Sequence, residues 1–258
     1  MGCIYFIGAG PGDPKLITVK GMEILRRADV IIYAGSLVNP ALLEYAKSGA
    51  EIYDSSSMTL EEVIAVMKKS AKRGNETARL HTGDPSLYGA IGEQIKALDE
   101  LGIASEVVPG VSAFSGAAAA LKAEYTLPGV SQSLIITRCA GRTSVPVNES
   151  IAALAAHSLP MAVFLSTGLT CVLQKEMLAG GSDPKTPAAI VYHASWPDEK
   201  VILGTLEELP GMAEKNGLTK TSLILIGDFL SGQGGRSRLY DGDFSHSFRK
   251  ARTEEDSP

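Results

Sequence analysis

The chain is poor in the residues that build metal centres and disulfide frameworks, with three cysteines, four histidines and one tryptophan in 258 residues. Cys3, Cys139 and Cys171 lie far apart and are odd in number, which excludes a disulfide scaffold and zinc-ligand spacing. His81, His157, His193 and His246 are equally scattered, so no metal site is expected. Basic residues show no excess. Lys and Arg total 24 against 29 Asp and Glu, a net charge of -5, which argues against a general affinity for nucleic acid. Any anionic partner must be held by local basic groups. A basic leader and a long apolar run are also missing, because glycines soon cut the first apolar stretch and no segment approaches membrane-spanning length. The expectation is a cytoplasmic protein with no membrane or nucleic-acid partner.

What is present is an ordinary globular composition, 45% hydrophobic and 21% charged, enough for one large core or two smaller ones. The most informative stretch is the start, where Cys3-Ile4-Tyr5-Phe6-Ile7 breaks into Gly8-Ala9-Gly10-Pro11-Gly12-Asp13-Pro14 before a helical pattern. A strand ending in glycines lets a ligand approach bare backbone. A dinucleotide loop would need a third glycine where Asp13 stands, and Pro11 has no N–H to offer a phosphate. The loop therefore suits a ligand that is neutral or cationic there, or serves only as a close-packed turn.

Strands and helices alternate through the first half. Helical spacing over Leu16 to Ala28, Ala41 to Lys47, Thr59 to Arg73, Ala90 to Leu101 and Ser112 to Leu121 separates strands at Val30 to Tyr33, Glu51 to Tyr53, Thr77 to His81 and Glu106 to Val108. This order favours a largely parallel sheet. In the second half, strands are expected at Leu134 to Ile136, Met161 to Leu165, Ala189 to Tyr192, Val201 to Leu203 and Leu223 to Ile226, with helices near Glu149 to His157, Thr170 to Ala179 and Leu206 to Asn216. Val201 to Leu203 follows its predecessor without a helix between, which predicts some antiparallel pairing and a mixed sheet. The expected architecture is two α/β domains, 1–128 and 129–230, with a ligand cleft between them and a loose polar tail over 231–258.

Three glycine- or proline-marked turns follow strands in the first half, at Gly8 to Pro14, Thr82 to Pro85 and Pro109 to Ser112. In a parallel sheet such turns gather at the carboxyl edge, so the three could line one crevice, although glycine and proline also simply terminate strands. Asp13 and Asp84 sit in two of them and no Walker-type lysine follows, so a cationic or hydroxyl-bearing ligand fits better than a nucleoside triphosphate.

These residues resemble a known family. Gly8-Ala9-Gly10-Pro11-Gly12-Asp13 with Leu16-Ile17-Thr18-Val19-Lys20-Gly21, Tyr33-Ala34-Gly35-Ser36-Leu37-Val38, His81-Thr82-Gly83-Asp84-Pro85 and Val108-Pro109-Gly110-Val111-Ser112 are similar to the ordered motifs of the tetrapyrrole methylases, over about residues 1 to 230. Thr137-Arg138, Gly141-Arg142-Thr143, Val145-Pro146 and Trp196-Pro197-Asp198-Glu199-Lys200 resemble the branch of that family that methylates carbon 11 of precorrin-4 in cobalamin synthesis.

The resemblance implies a two-domain α/β transferase, usually a homodimer, that uses S-adenosylmethionine. Carried onto this chain, the cofactor positions are Pro11, Thr82, Gly83, Asp84, Leu87, Ser112 and Ala113, with Leu165, Ala194 and Gly227 from the second domain. A sulfonium brings positive charge and no phosphate, so aspartates and a proline are tolerable in its loops. The substrate carries carboxylates, which makes Arg138 and Arg142 its candidate partners, joined by Asp13 and Tyr88. Tyr33 and Trp196 are candidates for stacking on the macrocycle or for the core, and His193 and His81 for packing or hydrogen bonding. The implied chemistry is an in-line displacement governed by positioning and exclusion of water. Some relatives carry an aspartate after the second strand where Gly35 stands, so no general base is assigned. Whether the substrate holds cobalt is left open. The alternatives are the same fold acting on uroporphyrinogen III, another precorrin, ribosomal RNA or a modified histidine of a translation factor, and a nucleotide-dependent oxidoreductase.

Overall fold

Ile4–Gly8 (β1) is buried along its whole length and feeds both faces of a sheet, since successive side chains of a strand point to opposite sides. The computed structural model describes residues 2–251. It divides into two compact units, one holding the chain up to Leu121 together with Val191–Val201, the other Lys122–Ile190 and the chain from Ile202 onward.

In the first unit, β1 is followed by Val19–Arg27 (α1), Val30–Tyr33 (β2), Glu51–Asp54 (β3), Leu60–Lys72 (α2), Thr77–His81 (β4), Ile91–Glu100 (α3), Ser105–Val108 (β5) and Ala113–Leu121 (α4). The five strands form one sheet in the order β3-β2-β4-β1-β5, and every pairing is parallel. Tyr5, Ile7, Ala78 and Leu80 pack on one face with Ile24 and Leu25 of α1. Ile4, Phe6 and Ile32 pack on the other with Val63 and Met67 of α2 and Leu98 of α3. Local sequence sets the helix starts. Thr18 accepts the Gly21 N–H to cap α1, and Thr59 and Glu62 close a capping box on α2.

The second unit carries Ile135–Arg138 (β6), Ile151–Ala155 (α5), Met161–Phe164 (β7), Thr170–Ala179 (α6), Pro187–Tyr192 (β8), Lys200–Thr205 (β9), Leu209–Lys215 (α7) and Ser222–Ile226 (β10). Its sheet runs β6-β7-β10-β8-β9, with β6 parallel and β10 antiparallel to β7, so the expected mixed sheet is present. The tip of the β8–β9 hairpin, Val191–Val201, packs with the first unit.

Three expectations differ from the structure. The helix expected over Ala41 to Lys47 is a 3-10 turn at Pro40–Tyr45, started by Asn39, whose side chain accepts the Ala41 N–H, and ended where Ala46 turns extended and donates its N–H to Leu43 O. Ala194, expected with the second domain, packs in the first unit. The stretch beyond Gly232, expected to be loose, is tied by Gly235 N–H to Pro128 O at 2.7 Å and by the Arg249 guanidinium to the Leu239 and Asp241 carbonyls. Residues 252–258 of that tail lie outside the described residues.

Candidate active site

The three glycine turns follow β4, β1 and β5, which are neighbours in the parallel sheet, so all three emerge side by side at its carboxyl edge. Bare backbone is what allows them to meet. A Cβ on Gly110 would stand 2.3 Å from Gly83 O and 2.7 Å from Gly8 Cα. Gly10 and Gly83 exchange backbone bonds, N–H to O, at 3.2 and 2.8 Å. Gly83 adopts φ +63°, the left-handed region that favours glycine, and a Cβ there would face Ala113 N at 3.3 Å and Ser112 Cα at 3.5 Å. Gly83, Ser112 and Ala113 are thus brought together as expected.

The two loop aspartates act on backbone. Asp84 accepts the Gly110 N–H at 2.8 Å and the Ser86 N–H at 2.9 Å, tying the second turn to the third. Burial works against its charge, but the bonds from the Ser86 hydroxyl and from the Gly110 and Ser86 N–H groups hold the carboxyl below the usual carboxylate range. Asp13 accepts the Lys15 N–H at 2.9 Å and starts a short 3-10 turn. Of the expected cofactor residues, Thr82 is exposed and Leu87 half-buried.

The first loop is clamped by the hairpin tip. The Trp196 indole N–H donates to Pro11 O at 3.0 Å, Asp13 N–H donates to Ser195 Oγ at 2.9 Å, and Asn39 donates to Gly12 O at 2.9 Å. A Cβ on Gly12 would collide with the Trp196 ring at 2.0 Å, and one on Gly116 would stand 2.9 Å from the Pro11 ring and 3.6 Å from Ala194 Cβ. Pro11 and Ala194 therefore share one wall. His193 stacks between Tyr192 and Trp196, with ring centroids 3.9 and 4.8 Å away, and its Nδ1 meets the Asp198 carboxylate at 3.0 Å. Trp196 is a clamp on Pro11 rather than a free stacking platform. Tyr88 is 44% exposed and in the left-handed region at φ +57°. His81 is buried against Phe6, and desolvation beside Arg79 pushes its pKa down to about 3, so it stays neutral at physiological pH.

In the second unit, Leu165 follows β7 at φ +52° and is 66% exposed, a strained backbone presenting an apolar side chain to the outside. Ser166, fully buried, holds that turn by accepting the Cys139 N–H at 2.9 Å and donating to Phe164 O at 2.6 Å. Gly227 ends β10 at φ +141° with its Cβ position 3.0 Å from Pro160 Cα. Arg138 and Arg142 part company. The Arg138 guanidinium donates to the carbonyls of Cys139, Thr143 and Ser144, folding its own loop, whereas Arg142 is exposed with no hydrogen bond or ion pair among the described residues.

Sequence reasoning missed Asn39, Ser195, Gly116 and Ser166. An Asn-Pro pair is a local turn signal that could have found Asn39. The other three act through contacts distant in sequence, for which no local pattern exists. Among the described residues, no group of three His, Cys, Asp or Glu could hold a metal ion, and no helix is long and apolar enough to cross a membrane.

A parallel sheet whose glycine turns meet by backbone contact and carry no phosphate-cradling motif, in a chain that also holds a mixed α/β unit, defines a two-unit α/β protein with a ligand-ready sheet edge. The model of the Tetrapyrrole (Corrin/Porphyrin) Methylases matches residues 3–210, and the chain belongs to that family. It is 51% identical over 249 residues to a cobalt-precorrin-4 C(11)-methyltransferase of Methanocaldococcus jannaschii, covering 96% of each chain. It is 47% identical to a precorrin-4 C(11)-methyltransferase of Pseudomonas aeruginosa, covering 95% of this chain and 98% of that one. Among solved structures it resembles a cobalt precorrin-4 methyltransferase at 45% identity and TM-score 0.86, over 88% of this chain and 95% of that one. A uroporphyrin-III C-methyl transferase from Thermus thermophilus, complexed with S-adenyl homocysteine, matches at 28% identity and TM-score 0.76, over 90% of this chain and all of that one. The oxidoreductase alternative falls with the family match.

Proposed function

We propose that the protein transfers a methyl group from S-adenosylmethionine to carbon 11 of precorrin-4 or cobalt-precorrin-4. The observation that carries this reading is the meeting of Gly8, Gly83 and Gly110 at the carboxyl edge of adjacent strands, with Gly83 opening on Ser112 and Ala113. The near full-length likeness to methyltransferases of both precorrin-4 forms supports the target. The residues present fit the cofactor. Gly83 leaves bare backbone beside Ser112 and Ala113, and Pro11 and Ala194 give an apolar wall.

In this reading Pro11, Thr82, Gly83, Asp84, Leu87, Ser112, Ala113 and Ala194 hold S-adenosylmethionine, and the resemblance adds Leu165 and Gly227. When bound, the cofactor supplies an electrophilic methyl group on a sulfonium. The protein's part is to position and to exclude water. Asp84 fixes the second and third turns to each other, and Trp196, Ser195 and Asn39 fix the first, so the backbone that meets the cofactor is set before binding. Arg142, exposed and unpaired among the described residues, is free to take a substrate carboxylate, whereas the Arg138 guanidinium is spent on loop carbonyls and Asp13 is itself a carboxylate bound to Lys15 N–H. Of the expected substrate residues, only Tyr88, 44% exposed, stands with Arg142 in this reading. A homodimer in the cytoplasm completes the reading. The β9 strand lies at the edge of its sheet and exposes Leu203 at 65%, a surface that suits a second copy.

Calorimetry tests the cofactor. S-adenosylhomocysteine should bind while NAD and ATP do not, and nucleotide binding with no response to S-adenosylhomocysteine would overturn the reading.

A further inference from the structure

Strand alternation turns three polar side chains of β4, Thr77, Arg79 and His81, onto the α2–α3 face of the first sheet beside Phe6 and Ile32, and of these Thr77 is satisfied by Ser70 of α2 at 2.6 Å. Arg79 is 9% exposed. Its Nη1 donates to Ser55 Oγ at 2.8 Å and its Nε to Gln94 Oε1 at 3.4 Å, both neutral acceptors. No carboxylate of the described residues stands within 4.0 Å of the guanidinium. The nearest in sequence, Glu76 and Asp84, are engaged elsewhere, Glu76 with Arg27 and the Tyr5 hydroxyl and Asp84 with Gly110 N–H, and Asp54, next to Ser55, accepts the Gly35 and Ser56 N–H groups. Desolvation brings the guanidinium pKa down to about 10, so it remains charged at neutral pH. A buried charge with no counter-charge is strongly unfavourable unless a partner arrives.

Two further observations concern the same edge of the sheet. His81, 7% exposed, has a buried Nε2 with no hydrogen-bond partner. Such a nitrogen in a neutral imidazole can carry the ring proton and donate it. The ten-residue helix α3 starts from Ala90 at φ +49° with no side-chain cap; its first turn carries the exposed Glu93, and Gln94, the next residue, touches Arg79. A buried cation and an unpartnered ring nitrogen on one face of β4 both ask for an anion. The planar guanidinium favours a carboxylate, which it can meet with two parallel bonds.

We propose that Arg79, His81 and the first turn of α3 form a carboxylate pocket that takes one acidic side arm of the tetrapyrrole substrate. The pocket rests on the methyltransferase reading for the source of its carboxylate. It differs from the Arg138 to Pro146 loop in lying within the first unit and in having buried rather than exposed side chains.

Uroporphyrin III, a stable tetrapyrrole carboxylate, serves as the probe, with its fluorescence followed on titration of the full chain. Arg79→Met should weaken its binding about tenfold to a hundredfold, and Arg79→Lys by a smaller factor because lysine lacks the fork. S-adenosylhomocysteine affinity should stay unchanged, and the urea midpoint of Arg79→Met should stay level or rise as a lone buried charge is removed. Acetate should raise the melting temperature of the wild type, compete with uroporphyrin, and lose both effects in Arg79→Met. Unchanged uroporphyrin binding in both variants would overturn the pocket. An acetate effect that Arg79→Met abolishes, without any change for uroporphyrin, would make it a site for a free anion and overturn the substrate assignment. An Arg79→Met chain that is markedly destabilised, with Arg79→Lys binding normally, would make Arg79 structural. A wild type that binds uroporphyrin but not S-adenosylhomocysteine would instead sink the methyltransferase reading and leave the pocket standing.

Discussion

Gly83 shows how much one residue can carry. At φ +63° a side chain costs about 1–2 kcal/mol in backbone strain alone, and a β-branched one must also clear Ala113 N at 3.3 Å. Gly83→Val should therefore lower stability by at least that amount and weaken S-adenosylhomocysteine binding about tenfold or more. Calorimetry with normal affinity would show that the cofactor lies elsewhere. The two arginines of the second unit make a contrasting pair. Arg138→Ala removes three bonds to loop carbonyls and should cost about 1–3 kcal/mol in urea denaturation. Arg142→Ala should change stability by less than about 0.5 kcal/mol while weakening tetrapyrrole binding about tenfold to a hundredfold. Normal tetrapyrrole binding by Arg142→Ala would make that loop ordinary surface. The residue types of the loops were legible in the sequence, but their bonding was not. Asp84 and Arg138 spend their charges on backbone groups, and which carbonyl or N–H a charge will meet depends on the folded loop.

At the scale of elements, periodicity located the parallel strands well. Val30–Tyr33 and Thr77–His81 fall where the patterns place them, because each is a short run bounded by turn residues, and the helix Thr170–Ala179, closed by Gly180, does so too. Short 3-10 turns were not legible. Pro40–Tyr45 has helical apolar spacing yet stays a 3-10 turn that stops where Ala46 becomes extended, and the helix expected over Glu149 to His157 is split into a 3-10 turn at Val147–Glu149 and a short α-helix at Ile151–Ala155. The hairpin tip at Val191–Val201 was legible as a turn but not as a clamp, since its bond from Trp196 to Pro11 O spans 185 residues. Trp196→Phe keeps the ring and deletes the bond, so it should cost about 0.5–1.5 kcal/mol and loosen the first glycine turn. Slower limited proteolysis or unchanged hydrogen exchange at Gly10 and Gly12 in that variant would contradict the clamp.

For the whole molecule, the two α/β units and their parallel and mixed sheets follow from the order of the elements. The packing of Val191–Val201 with the first unit does not, because long-range contacts leave no periodic trace. Stability should carry the signature of His81. In the folded protein its pKa is about 3, and in the unfolded chain about 6.5, so between those values the unfolded state binds the extra proton. Its contribution is full above about pH 6.5 and declines as pH falls towards about 3, and Asp84, with its depressed carboxyl, adds a further loss as acid titrates it. Urea midpoints should drop between about pH 7 and about pH 5, and His81→Phe should flatten that slope. A slope unchanged in His81→Phe would mean the ring is not held neutral.

The central claim is methyl transfer to one carbon of one macrocycle. Incubating the protein with methyl-labelled S-adenosylmethionine, separately with precorrin-4 and with cobalt-precorrin-4, and locating the label by magnetic resonance tests it most directly. A single labelled methyl at carbon 11 of at least one of the two substrates is the expected result. Label at another carbon of the ring, or none in either substrate while S-adenosylhomocysteine binds normally, would contradict it.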